Sequence, residues 1–283
     1  MRAAILVPAP DYPEDWDWAY EVEAAVLLRA GFSVEARTWN EPGQLDRFDL
    51  VTPLVAWGYH HDPGRWHDLL DRLEGEGIPT QNPVPLLRWN SDKRYLAELG
   101  AKGVATIPTR LVDALHEDTL QLARAEFGDE LVIKPLVSAS ADGTHRLGGT
   151  DPVPDAALGR EMLVQPYFGS VAEEGEYSLM LFSGEFSHCI VKRPKAGDYR
   201  VQPHLGGTEQ PCPPPAGAID LAHAALAAAP AEAAYARVDM VRDPGGRLAI
   251  IELELIEPAL WLQHAPDGGA SFASALLSSL PQK

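Results

Sequence analysis

Glu252 and Glu254 alternate with apolar residues in the run Ile250-Ile-Glu-Leu-Glu-Leu-Ile256. A period of two places both carboxylates on one face of a strand, with Ile251, Leu253 and Leu255 on the other. Taken alone, the pattern also fits an antiparallel strand with one wet face. The run before it, Tyr235-Ala-Arg-Val-Asp-Met240, changes that reading. Asp243-Pro-Gly-Gly246 is a turn that folds this run back, so Asp239 comes to lie near Glu252, and Arg237 shares its face. Three carboxylates on one face repel by about a few kcal/mol per close pair at an effective dielectric near 20. A divalent cation relieves this, and hard oxygen donors with positions open for phosphate oxygens suit Mg²⁺. Arg237 either offsets charge or binds a phosphate.

Other residues supply positive charge. Lys134 ends the apolar strand Leu131-Val-Ile-Lys-Pro135, where it either reaches a buried anion or snorkels from the strand end. The loop after it, Ser138-Ala-Ser-Ala-Asp-Gly-Thr144, is built of small residues that let backbone amides approach a phosphate. It matches neither the P-loop nor the dinucleotide fingerprint. Lys192-Arg-Pro-Lys195 and Arg200 concentrate basic charge, as a solvated loop or as a cationic flap over a phosphate or carboxylate. Lys93 lies in Asn90-Ser-Asp-Lys93, which reads as a helix start. His60 and His61, near His67, read as surface or substrate-pocket residues rather than a zinc site.

These residues need a scaffold. Ala3–Pro8, Phe32–Arg37, Asp49–Trp57 and Ile78–Asn82 read as strands, separated by helices over Trp16–Ala30 and Arg65–Glu74. That rhythm predicts a small parallel α/β unit. A second unit begins near Trp89. It has a helix over Asp92–Leu99 capped by Ser91, extended Thr106–Val112, a helix over Glu117–Glu126, and strands Leu131–Pro135 and Met162–Pro166. In the third unit, Glu176–Phe182 and Phe186–Lys192 are joined by the hairpin turn Ser183-Gly184. An alanine-rich helix over Ile219–Ala229, strands Ala234–Val241 and Arg247–Leu255, and a last helix over Phe272–Leu280 complete it.

Composition limits the partners. The 283 residues carry 41 acids and 23 bases, a net charge of −18, which argues against nucleic acid and anionic membranes. No apolar run approaches the roughly 20 residues of a membrane span. Cys189 and Cys212 are too few for a disulfide framework, and a reducing cytoplasm is the expected setting.

The order of Lys93, Lys134 with its small-residue loop, Gln165-Pro-Tyr-Phe168, Glu176, the Lys192–Arg200 segment, then Asp239, Glu252 and Glu254 resembles the ATP-grasp superfamily. Gly175-Glu-Tyr-Ser178, Lys192-Arg-Pro, Gly197-Asp-Tyr-Arg-Val-Gln202 with Gly206-Gly207, and Glu252-Leu-Glu-Leu-Ile-Glu-Pro258 are similar to its glutathione-synthetase-like branch, in particular the O-ureido-serine cyclo-ligase subgroup. The resemblance covers roughly residues 90–283. It implies an α/β protein of the ATP-grasp fold. Residues 1–88 would form a parallel pre-domain, and the two α+β subdomains 89–168 and 169–283 would clamp ATP. Lys93 and Lys134 would hold the α- and β-phosphates, and the loop with Ser138, Ser140 and Gly143 would close over them. Gln165, Pro166, Tyr167 and Phe168 would form the hinge that reads adenine, and Glu173 or Glu176 would hold the ribose. Arg200, Lys192 and Arg237 would serve catalysis, with Arg200 neutralising the transferred phosphate. Asp239, Glu252 and Glu254 would hold two Mg²⁺.

The chain departs from the family at three points: Glu254 where many relatives have Asn, a single glycine in the phosphate loop, and Lys192 where glutathione synthetases often have Arg. The resemblance implies an ATP- and Mg²⁺-dependent ligase. It would activate a small carboxylate or amino-acid-like substrate as an acyl phosphate, captured by a nitrogen within the same molecule or by a second one, and a homodimer is what the family suggests. A catalytically inactive nucleotide-binding regulator and a Mg²⁺-dependent phosphatase are the readings of other classes. The carboxylate set disfavours the regulator, and the two lysines disfavour the phosphatase.

Overall fold

The computed structural model describes residues 1–195, 197–198, 200–201, 206–278 and 280. Its first strand, β1 (Arg2–Val7), is apolar and buried from Ala3 onward, as befits the centre of a parallel sheet. β1 lies between β2 (Ser33–Thr38) and β3 (Leu50–Thr52), parallel to both. α1 (Asp17–Arg29) connects β1 to β2. α2 (Pro63–Gly75) follows β3 and is capped by Asp62, whose carboxylate accepts a bond from Arg65 N at 3.0 Å. The parallel α/β expectation for these residues is met. The strand expected over Ile78–Asn82 shrinks to one parallel bridge between Thr80 and Val51, because Pro79 and Pro83 on either side have no amide to donate.

In place of the helix expected over Asp92–Leu99 there are two, α3 (Val84–Asn90) and α4 (Tyr95–Ala101). Ser91 ends the first of them rather than starting the second. Its hydroxyl donates to Leu87 O at 2.7 Å and accepts from Trp66 Nε1 at 2.7 Å. Lys93 therefore sits in a tight turn, its amide donating to Leu136 O at 2.8 Å.

Next come β4 (Arg110–Val112), α5 (Glu117–Phe127), β5 (Leu131–Pro135), β6 (His145–Leu147) and β7 (Met162–Pro166). The four strands form an antiparallel sheet in the order β4-β7-β5-β6. After the short α6 (Ser170–Glu173), a second antiparallel sheet is built from β8 (Glu176–Phe182), β9 (Glu185–Arg193), β10 (Thr208–Pro211), β11 (Tyr235–Arg242) and β12 (Leu248–Glu254). Its order is β10-β9-β8-β11-β12. The β8–β9 turn has Ser183 at φ 48° and Gly184 at φ 81°, two left-handed residues as a type I′ hairpin requires. α7 (Ala218–Ala228) and α8 (Ala270–Ser278) flank this sheet. Ser279, within the expected last helix, lies outside the described residues. β10 was not anticipated, since Thr-Glu-Gln-Pro has no apolar alternation; backbone pairing to β9 alone makes it a strand. Among the described residues no helix is long and apolar enough to cross a membrane.

The core under α1 contains one misfit. Glu23 is 3% exposed, and its Oε2 has no hydrogen-bond partner. Burial raises its pKa well above the usual carboxylate range. A raised acid favours the folded state most below its unfolded pKa, and that contribution is lost as pH rises toward the folded value. Glu23→Met removes an unsatisfied acid at similar length, and we expect a gain of about 1–3 kcal/mol near neutrality. The gain in thermal melts should be larger at pH 8 than at pH 5. Equal gains at both pH values would mean that Glu23 is not protonated on folding.

Candidate active site

β12 is an edge strand, so its outward amides and carbonyls need partners. Side chains from residues 82–95 provide them. Leu253 N donates to Tyr95 Oη at 3.0 Å, and Leu255 N donates to Asn90 Oδ1 at 2.8 Å. Asn90 Nδ2 donates to Leu253 O at 2.7 Å, and Asn82 Nδ2 to Leu255 O at 2.8 Å. Further back, Ile250 N donates to Ala105 O and Ile107 N to Ile250 O, both at 2.9 Å. These bonds lock the strand bearing Glu252 and Glu254 against the turn bearing Lys93. Asn90, read from sequence as part of a helix start, thus holds the edge of the site.

The register is the expected one: Asp239 opposes Glu252 and Arg237 opposes Glu254. A bulge between Asp239 and Met240 adds one residue to β12 and corrects the expected facing of Ile251. Ile250, Leu253 and Leu255 enter the core beneath the sheet, whereas Ile251 turns to the carboxylate side with Ile107, Phe168, Val171 and Val241. The carboxylate oxygens of Asp239, Glu252 and Glu254 lie within 4.8 Å of one another.

Each acid is met by a cation. Lys93 Nζ pairs with Glu252, and Arg237 binds Asp239 at 2.9–3.1 Å and also Glu254. Lys192 Nζ bonds Asp239 at 3.0 Å and pairs with Glu176. Asp239 is fully buried, which raises a carboxyl pKa, yet Arg237 and Lys192 outweigh burial and hold it well below the usual range. Burial likewise opposes ionisation of Glu252, and Lys93 and Lys134 overcome it. Glu254 goes the other way: burial and the neighbouring acids raise its pKa despite Arg237. Burial lowers the pKa of Lys134, with Glu252 opposing. Five acids (Glu176, Asp239, Glu252, Glu254 and Glu257) therefore gather with four bases (Lys93, Lys134, Lys192 and Arg237) in a chain of net charge −18.

These groups form part of a cleft of about 570 Å³ between the two antiparallel sheets. The same cleft is lined by an apolar group of Ile107, Val132, Phe168, Val171, Val241 and Ile251. Gln165 is fully buried at its edge; Nε2 donates to Thr109 Oγ1 at 2.9 Å, while Oε1 has no partner. A flat base bearing an amino donor suits such a lining, and a triphosphate suits the four bases. The donor chemistry of the three clustered carboxylates suits Mg²⁺.

Most residues expected from sequence converge here: Lys93, Lys134, Ser138, Ser140, Gln165, Pro166, Tyr167, Phe168, Glu176, Lys192, Arg200, Arg237, Glu252 and Glu254 all line the cleft, with Asp239 buried beneath. Two do not. Glu173 is exposed on α6 and lines no part of the cleft. Gly143, at φ 63°, turns behind the loop, where a Cβ would come within 2.7 Å of the Pro135 side chain. Lys192 is no flap residue either. It is the buried penultimate residue of β9, its Nζ 5.9 Å from the centre of the Trp261 ring. Arg200 is oriented by Asp198, which accepts from its Nε at 3.1 Å and Nη2 at 3.0 Å. Tyr199 and Gln202 of the same motif lie outside the described residues. The sequence reading missed an N-terminal wall of Tyr12, Glu14, Asp15 and Trp57, which carries no motif and is recruited only by packing; His60, read as a surface or substrate-pocket residue, lines the cleft beside them.

Residues 4–82 match the family described as the N-terminal domain of D-cycloserine synthetase DcsG. The chain is 32% identical over 300 residues to the cycloserine biosynthesis protein DcsG of Streptomyces lavendulae, covering 98% of each. It superposes on the crystal structure of D-cycloserine synthetase DcsG with a TM-score of 0.84 at 28% identity, over 99% of this chain and all of that one. It shares its fold with the D-alanine–D-alanine ligase of Bacillus anthracis complexed with ATP, with a TM-score of 0.71 at 18% identity over 99% and 96% of the chains.

Proposed function

We propose that this chain, which belongs to the ATP-grasp ligases and within them to the family of the D-cycloserine synthetase DcsG, closes the ring of a small amino-acid derivative through an acyl phosphate. It is an ATP-dependent ligase that joins a carboxylate to a nitrogen. The observation that carries the ring-closing reading is the 32% identity to the cycloserine enzyme over 98% of both chains, taken with the cluster of acids and bases in the cleft.

The substrate carboxylate takes the γ-phosphoryl group as ADP leaves. A nitrogen then attacks the acyl carbon and expels phosphate, and the nitrogen's proton passes to the departing phosphate or to water. Lys93 and Lys134 hold the phosphates, and Gln165 Oε1 accepts from the adenine amino group. Arg200 and Arg237 balance the charge that develops on the transferred group. Asp239, Glu252 and Glu254 would hold Mg²⁺, which would supply Lewis-acid stabilisation of phosphoryl oxygens. No side chain acts as a covalent nucleophile. Positioning supplies the larger part of the rate, and effective molarity is worth about 7–11 kcal/mol in favourable cases. Two Mg²⁺ ions, a homodimer and the division into residues 1–88, 89–168 and 169–283 belong to the same proposal and rest on the family resemblance, and a cytoplasmic setting belongs to it on the cysteine content.

Because acids already face the bases of the cluster, a polyanionic nucleotide should enter with its divalent cation. Calorimetry should show ATP binding strongly enhanced by Mg²⁺. Lys134→Met should weaken it roughly 10- to 100-fold, as loss of one bond to a charged group does. Mg²⁺-independent binding, insensitive to Lys134, would argue against the assignment. Phosphate release screened across amino-acid derivatives then identifies the substrate, and the appearance of a cyclic product separates ring closure from intermolecular ligation.

A further inference from the structure

The phosphate loop meets the N-terminal wall at a group of side chains the ligase chemistry does not use. Gly58, at φ 84° with the Tyr12 ring packed against its Cα, starts a 3-10 turn over Tyr59–His61. Tyr59 is anchored in the core on Trp66, with ring centres 4.9 Å apart. The turn stacks the His60 and His61 imidazoles, with centres 4.1 Å apart, and presents them to Asp142 of the loop. His60 Nε2 lies 3.8 Å and His61 Nδ1 3.9 Å from Asp142 Oδ2.

The spacing leaves a gap. All three distances between candidate donor atoms are under 4.8 Å, and the two to Asp142 are too long for hydrogen bonds. The His60 side chain is only 4% exposed, with Nε2 turned to Asp142 and Nδ1, across the ring, without a partner. A buried imidazole in this state is unusual, because buried polar groups are nearly always bonded. Burial, with His61 adding to it, lowers the His60 pKa to about 4, so the ring is neutral and its lone pair available at physiological pH.

We propose that His60, His61 and Asp142 form a binding site for one zinc-class divalent cation that ties the phosphate loop to the N-terminal turn. Two imidazole nitrogens and one carboxylate oxygen suit Zn²⁺ or Co²⁺ and not Mg²⁺, which takes oxygen. Tetrahedral bonds of 2.0–2.1 Å place donors about 3.3 Å apart, so the two histidine–Asp142 distances close by about half an ångström on binding. The site is separate from the carboxylate cluster: His60 lines the cleft, while His61 and Asp142 lie outside its lining. The ion bridges two segments distant in sequence, so its binding restrains residues 138–144. That this restraint bears on nucleotide exchange rests on the ligase reading; the site itself does not.

The test uses the full chain without nucleotide, in excess Mg²⁺. Co²⁺ titration should give one visible-absorbing ion per chain, displaced by Zn²⁺. His61→Ala and Asp142→Ala, both at exposed positions, should weaken binding at least 10-fold, and Glu252→Gln should leave it unchanged. Zn²⁺ should slow hydrogen exchange of residues 138–144 in the native protein and not in His61→Ala. Absence of micromolar binding, binding untouched by His61→Ala, loss in Glu252→Gln, or unaltered loop exchange with the ion bound each overturns the proposal. None of these readouts depends on ATP, so a failed ligase assignment remains distinguishable from a failed metal site.

Discussion

Glu252→Gln should lower ATP turnover by about 1,000-fold while leaving the protein folded. The substitution keeps the shape of the side chain and removes one ionised oxygen ligand from the set formed with Asp239 and Glu254. Metal stabilisation of a transferring phosphoryl group is worth several kcal/mol, and about 4 kcal/mol corresponds to three orders of magnitude in rate. Stability should change little, because Glu252 is only partly buried and Lys93 keeps Glu254 and Glu257 nearby. The measurements are ADP release at saturating substrate and a circular-dichroism melt. A variant with full turnover would remove Glu252 from the metal site. A variant that is inactive because it is unfolded would show it in the melt.

Why this residue could be singled out from sequence, and others could not, is a matter of range. The Asp239–Glu252 juxtaposition needs only a strand period, a four-residue turn and a second strand, all within Tyr235–Ile256. The structure keeps that register. The facing of Ile251 fails at the same place because a bulge breaks the period of two, and no composition rule announces a bulge. The turn holding Lys93 and the clasp of Asn82, Asn90 and Tyr95 on β12 join residues more than 150 positions apart. A single sequence contains no term for such a contact. The placing of Lys192 in a cationic flap erred in a different way. It counted charges along the chain, whereas the fold sends Lys192 inward to Asp239 and Glu176 and leaves Arg193 outside.

Arg237 shows how the free site is kept stable until it is loaded, and it gives the second large effect. Asp239 is fully buried, and Arg237 reaches both its oxygens and Glu254. Removing one partner of a buried ion pair costs about 3–5 kcal/mol, because the remaining charge stays desolvated. Lys192 still serves Asp239, but Glu254 loses its cation partner. At about 2–4 °C per kcal/mol for a chain of this size, Arg237→Met in EDTA should melt on the order of 10 °C below the native protein. Mg²⁺ that binds the folded carboxylates and not the unfolded chain adds RT ln(1 + [L]/Kd), about 2.7 kcal/mol at 100 times Kd. With Arg237 gone, the cation becomes the remaining counter-charge for Glu254, so Mg²⁺ should raise the melting temperature of the variant more than that of the native protein. Turnover should stay low in the variant, because Mg²⁺ replaces the charge of Arg237 toward the acids and not its place in the cleft wall. If Mg²⁺ raised both melting temperatures equally, Arg237 and the metal would not be sharing these carboxylates, and the assignment of Asp239 and Glu254 as ligands would fall.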